Sequence, residues 1–128
     1  MKKFIYVTTE FKGFHHWKKA PDTISFLRNL HRHLFKVRVD IEVFDNDREI
    51  EFFLFQKEVE SIIVKLIIND WDNNYSCEMI ADKIYCGLDE VYTLNLPPPS
   101  TAGPSFSTKR DVKIEVSEDG ENGCVIQY

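Results

Sequence analysis

Hydrophobic and polar positions alternate most regularly between Leu34 and Phe44, where Phe35, Val37, Val39, Ile41 and Val43 are interleaved with Lys36, Arg38, Asp40 and Glu42. A period of two predicts a strand with one buried and one solvated face. Asp45-Asn46-Asp47 follows, and short polar side chains of this kind bond their own backbone and reverse the chain. From Phe52 to Ile67 the spacing changes to steps of three and four, through Phe52, Phe55, Val59, Ile62, Ile63 and Leu66, which predicts an amphipathic helix. A second helix is expected from Ser76, a suitable N-cap, with Cys77, Ile80, Ala81, Ile84 and Leu88 on one stripe and an end near Leu88 or Val91.

Pro97-Pro98-Pro99 and the small residues through Ser105 cannot sustain a ladder, because proline lacks the donor, and they predict a loop. Val112, Ile114 and Val116 then alternate with Lys113 and Glu115, Glu118 to Gly123 is rich in turn residues, and Cys124-Val125-Ile126-Gln127-Tyr128 closes the chain. This predicts a terminal hairpin. With a further strand over Lys3 to Phe11, the order is strand, long loop, strand, helix, helix, strand, strand. Antiparallel strands with helices on one face make an α+β domain, and the 128 residues read as one such domain.

Composition narrows the function. The chain is 43% hydrophobic and 29% charged, ordinary for a globular protein, and its net charge of -5 gives no basis for clasping a nucleic-acid backbone. The apolar run after Met1-Lys2-Lys3 soon meets Thr8, Thr9 and Glu10, too early for a signal peptide, and no stretch approaches a membrane span. The expectation is a cytoplasmic protein. Cys77, Cys86 and Cys124 match no metal or redox spacing and are expected as small buried or half-buried hydrophobes.

Three of the four histidines bear on chemistry. His31 and His33 stand two apart at the start of the best strand, so their imidazoles share a face, about 6 to 7 Å apart at the backbone. A His-x-His pair is either a ligand pair or a satisfied surface or core pair. These two are in phase with Phe35, Val37 and Val39, so the rings face the apolar side, where an imidazole needs a partner or a metal. Two such rings can share one Zn²⁺, with His15 or His16 as the source of a third ligand.

Phe11-Lys12-Gly13-Phe14-His15 followed by His31-Arg32-His33-Leu34-Phe35-Lys36-Val37 resembles the Phe-x-Ala-x-His and His-Gly-His-x-Phe-x-Val segments of 6-pyruvoyltetrahydropterin and 6-carboxytetrahydropterin synthases. Ile50-Glu51-Phe52 resembles the Val-x-Asp-Phe opening the first family helix. Ser76-Cys77-Glu78-Met79-Ile80-Ala81 resembles the Thr-Ser-Glu-x-Leu-Ala opening the second, and Glu118-Asp119 through Gly123-Cys124 resembles the Glu-Thr turn with its downstream Gly-Cys.

The resemblance implies that His15, His31 and His33 hold a catalytic Zn²⁺ with an open fourth position. It implies that Glu118 anchors a pterin, its two acceptors meeting the paired donors of a 2-amino-4-oxo heterocycle. Read alone, Glu118 is a solvated turn residue. The resemblance further implies the tunnelling fold, in which a four-stranded antiparallel sheet carries two helices on one face and subunits join into a barrel. The expected partners are therefore a small pterin or purine-derived heterocycle and further copies of the chain, as a trimer-based hexamer.

The pattern breaks at the acid–base groups. Where the synthases carry a cysteine base, four residues before the first histidine of the pair, this chain has Leu27. Their Leu-Asp-His segment is replaced by Ile67 to Asp72, with Asp70 as the one possible remnant. General acid–base groups contribute about 10²- to 10⁴-fold each, so the ordinary reaction lacks its usual means. His16, Asp22, Glu51 and Cys77 are ionisable substitutes, each with a structural alternative. Phe14, Trp17 and Phe26 could stack on a flat ligand or serve as core, and Arg28 and Arg32 could meet a phosphate or water. Three functions follow: a zinc enzyme on a pterin triphosphate or related heterocycle, as in tetrahydropterin or deazapurine biosynthesis; a binder that keeps metal and anchor without the chemistry; or a structural zinc site.

Overall fold

A computed structural model describes residues 1–92, 94 and 109–128. Its elements are β1 (Lys3–His15), β2 (His31–Val43), α1 (Phe52–Lys65), α2 (Cys77–Tyr92), β3 (Val112–Glu118) and β4 (Asn122–Gln127). A short 3₁₀ segment (Asp22–Arg28) interrupts the β1–β2 connection, and one wide turn (Leu66–Asp70) extends α1. The class is α+β, as expected from the order of periods. The proline-rich stretch expected as a loop lies outside the described residues.

The strands form one antiparallel sheet in the order β1-β2-β3-β4. The expected alternation holds through β2, where Phe35, Val37, Val39 and Ile41 are buried and Lys36 and Arg38 are exposed. The inner face receives α1 and α2: Phe55, Val59, Ile62, Ile80, Ile84 and Leu88 join Val37, Val39, Ile114 and Val116 in one core. The predicted α2 stripe is buried at all five positions. On α1 the apolar stripe is buried except at its first member, Phe52, which is exposed where the helix begins.

Capping follows local chemistry. Ser76 Oγ accepts from the Met79 N–H at 3.2 Å. Glu51 caps α1 by accepting from the Phe53 and Leu54 N–H groups at 3.0 and 2.9 Å, so its carboxylate serves the backbone and not a histidine. The cysteines are unpaired, and Cys86 is exposed rather than buried. Among the described residues, no helix is long and apolar enough to cross a membrane.

One difference bears directly on the site. The first strand runs past Phe11 to His15, pairing Gly13 with His33 and His15 with His31. Gly13 eases this: a Cβ there would stand 3.0 Å from the Phe35 ring and 3.1 Å from the Trp71 ring, tighter than ordinary carbon–carbon contact. The Trp71 indole N–H donates to the Phe14 carbonyl at 3.0 Å, and the His16 N–H donates to the Asn73 carbonyl at 2.8 Å. The connection between the helices is thereby fastened to the end of β1.

Candidate metal centre and adjoining pocket

The β1–β2 register places His15 and His31 opposite one another, and period two adds His33 to the same face. The rings meet edge to face with centroids 4.6 Å apart for His15–His31, 5.2 Å for His15–His33 and 4.9 Å for His31–His33. One ring nitrogen from each lies within 4.8 Å of the others. His15 is 7% exposed, so this convergence occurs at the margin of the core and not on a solvated surface.

The outer nitrogens explain how the rings are held. His15 Nδ1 lies 2.8 Å from the Tyr75 carbonyl oxygen, His31 Nδ1 lies 2.7 Å from the Asn29 carbonyl oxygen, and His33 Nδ1 lies 2.7 Å from Asp119 Oδ2. Each of these partners only accepts, so each Nδ1 carries the proton and donates, leaving a lone pair on Nε2. Buried Nε2 atoms of His15 and His33 find no hydrogen-bond partner. Burial lowers the pKa of His15 from 6.5, opposed by the Tyr75 bond and Glu118, and so favours the neutral imidazole at pH 7. Rings with their outer nitrogens anchored and their inner nitrogens turned toward one another match the donor set of a divalent transition-metal site. The residues present fit such an ion.

Asp119 is a member of this arrangement that the sequence reading left without a role. It follows β3 with φ 57°, and Gly120 follows with φ 74°, the positive pair of a tight hairpin turn that aspartate and glycine tolerate. Its Oδ1 accepts the Leu34 N–H at 2.9 Å, and its own N–H donates to the Leu34 carbonyl at 2.8 Å. The turn between β3 and β4 is thus tied to β2 beside a proposed ligand. These bonds hold the Asp119 carboxyl below the usual carboxylate range, the Leu34 N–H first and His33 second.

Glu118 closes the same corner. It pairs with Phe35 across β2–β3, and its Oε1 and Oε2 lie 3.4 Å from His15 Nε2 and His33 Nε2 respectively. It also lines a pocket of about 590 Å³ that reaches from His15 and His31 to the N-terminus of α2, within the size range of small-molecule sites. Glu118 is therefore a half-buried carboxylate at the junction of histidines and pocket.

The remaining candidates separate cleanly. Leu27, His16, Trp17 and Cys77 line this pocket. Cys77 Sγ is 4.0 Å from Glu118 Oε1, and burial first, then the Glu118 charge, pushes its thiol up to about 12, far from a thiolate base at neutral pH. Asp70 faces a separate surface groove with Lys18 and Asn69, so it is not assembled with the histidines. Asp22 binds Arg28 at 2.7 Å. Phe14 and Phe26 are exposed and stand outside the pocket lining. The outer-nitrogen partners on Asn29 and Tyr75 are backbone carbonyls, which any residue type supplies and no sequence motif announces.

No protein-family model matches the chain, and no curated protein matches it.

Proposed function

We propose that this chain is a zinc-binding domain of the 6-pyruvoyltetrahydropterin synthase type, with the tunnelling fold, that binds a pterin- or purine-derived heterocycle beside the ion. The observation that carries the reading is the matched state of the three imidazoles: every Nδ1 is anchored by an acceptor, and the free Nε2 positions converge next to a pocket that holds a carboxylate. A purely structural site has no need of the open volume or of Glu118 at its edge.

Zinc, when bound by His15, His31 and His33, supplies Lewis acidity toward an oxygen of the ligand. The chain's own residues do the rest. Tyr75, Asn29 and Asp119 fix the rings, Glu118 accepts hydrogen bonds from the amino and ring N–H groups of a 2-amino-4-oxo heterocycle, and Trp17 and Leu27 provide apolar walls. Leu27, which takes the sequence position of the synthases' cysteine, lines the pocket, and the Cys77 thiol is held protonated. Retention of the heterocycle without the ordinary elimination chemistry is the better-supported function, with synthase-type turnover as the alternative.

The reading includes assembly with further copies of the chain as a trimer-based hexamer. β1 and β4 are the outer strands of an open sheet, and unpaired edges favour association. Exposed Phe53, Leu54 and Ile68 add apolar surface for it.

The test is to load purified protein with zinc, incubate it with dihydroneopterin or its triphosphate, and follow ligand retention and conversion by mass spectrometry. Retention of an unaltered heterocycle, abolished by Glu118→Ala, supports the binder. Conversion supports the synthase, and failure to retain metal or heterocycle overturns the proposal.

A further inference from the structure

The His33 ring stands between two successive carboxylates. Asp119 Oδ2 takes its outer Nδ1 at 2.7 Å, and Glu118 Oε2 lies 3.4 Å from its inner Nε2. Neighbouring strand residues ordinarily point to opposite faces; here Asp119 is left-handed, with φ 57°, and both side chains meet the same ring. Glu118 also reaches His15, with Oε1 3.4 Å from Nε2, so its carboxylate straddles the inner nitrogens of two imidazoles. The backbone beneath it is fixed. Glu118 pairs with Phe35 on β2 and with Asn122 on β4, and its carbonyl accepts the Glu121 N–H at 3.0 Å.

The two separations of 3.4 Å fit an ion better than a proton. A proton shared between an imidazole and a carboxylate draws nitrogen and oxygen to about 2.7 to 2.9 Å, and neither His15 Nε2 nor His33 Nε2 has a hydrogen bond. Two ligands of one tetrahedral zinc, each about 2.0 to 2.1 Å from it, stand about 3.3 to 3.4 Å apart. The carboxylate is thus spaced from both nitrogens as a co-ligand. Its side chain is 26% exposed, and a charge withdrawn this far from water calls for a cation or strong donors. Its further contact, Cys77 Sγ at 4.0 Å, is with a weak donor.

We propose that Glu118 ligates the ion beside His15, His31 and His33 while the pocket is empty, and leaves it to accept the N–H groups of a bound heterocycle. The inference rests on the metal and heterocycle reading above and deepens it. Glu118 lines the pocket and faces the two imidazoles with both oxygens, so it serves one task at a time. An empty pocket then presents a closed set of four protein ligands, and an arriving heterocycle frees the position that its own oxygen can take.

The experiment measures zinc affinity by chelator competition, and the visible spectrum of the cobalt form, on the full chain in its solution assembly. Glu118→Gln keeps the shape of the side chain and is expected to weaken zinc binding at least about tenfold, since even the outer partners of ligands are worth 10- to 100-fold. The cobalt spectrum should change with it. Glu78→Gln removes another, exposed carboxylate of the pocket lining and should shift zinc affinity by less than about twofold, because exposed charges interact weakly. Zinc affinity and spectrum untouched by Glu118→Gln, or an equal loss in both variants, overturn the inference and leave the three-histidine centre intact; the first is the result expected if water or a neighbouring copy completes the set. Neopterin added to the wild-type cobalt form should move its spectrum, and binding seen by ligand fluorescence without that change overturns the exchange. A wild-type chain that binds no zinc overturns the metal reading itself, and one that binds zinc but not neopterin overturns the heterocycle reading and the exchange with it.

Discussion

The two ends of the sheet handle polar groups in opposite ways. At the end away from the histidines, Lys2 pairs with Asp111, Arg110 donates to Glu49 at 2.6 Å and to the Glu42 carbonyl at 2.9 Å, and Glu42 accepts the Asp111 N–H at 3.0 Å. Donors meet acceptors, and the network is complete within itself. At the other end the outer nitrogens of three histidines are just as firmly bonded, yet the inner nitrogens of His15 and His33 are buried without a hydrogen bond, the Glu118 carboxylate standing 3.4 Å from each. Buried polar atoms left unpaired cost stability. Among the described residues they occur at this end alone, which distinguishes a site prepared for an external group from polar chemistry that merely fastens the fold.

The comparison breaks most sharply if the histidines can be removed without effect on metal. Replacing His15, His31 or His33 singly by Ala should weaken zinc binding by more than about a hundredfold, since loss of an outer partner alone typically costs 10- to 100-fold. Calorimetric zinc titration measures it, and unchanged affinity removes the metal centre. Arg110→Ala is the matched control and should leave zinc affinity intact.

Asp119→Asn is the next largest. The amide keeps an acceptor for the Leu34 N–H but can offer His33 an N–H in place of a carboxylate oxygen, so zinc affinity should fall about tenfold. The spectrum of the cobalt-substituted protein should change with it, a readout that a purely fold-holding Asp119 would leave unmoved.

At the paired end the effects should appear in stability. Arg110→Ala should cost about 1 to 3 kcal/mol by leaving the Glu42 carbonyl and Glu49 without their donor, measured by urea denaturation. The Arg110 bond, with a smaller opposing effect of burial, holds the Glu49 carboxyl below its ordinary 4.5. A carboxylate depressed in the folded state stabilises fully above its unfolded pKa, and that contribution fades as pH falls through the range below 4.5. The Arg110→Ala protein should lose this part of the acid dependence.

The smallest effect is expected at Gly13. Gly13→Ala requires the Phe35 and Trp71 rings to yield by a few tenths of an ångström, at a cost of about 1 kcal/mol, seen as a lower melting temperature with zinc binding retained.

The difference between the two ends also marks what could be read from the sequence. The phase of His31 and His33 with Phe35, Val37 and Val39 was legible because a strand repeats every two residues, and the α2 stripe because a helix repeats every 3.6. The reach of β1 to His15 was not. Thr8, Thr9 and Glu10 break the apolar alternation, and the strand is carried onward by pairing with β2 and by the Trp71 bond to Phe14. Asp119 was hidden by its distance of 86 residues from His33, and the Tyr75 and Asn29 carbonyls by being backbone. Sequence patterns disclosed who could bind, while tertiary contacts decided how each ring is aimed.

The thirteen paired positions of β1 and β2 have a further consequence. Sliding one strand past the other by a single residue would turn every side chain of β1 to the opposite face and send His15 to the solvated side. An ion that requires all three imidazoles would stabilise only the correct alignment, lowering the free energy of that pairing relative to every slipped one. Metal availability would then act as a proofreader of strand assembly, and chelation during refolding should release misaligned hairpins that the holo protein never accumulates.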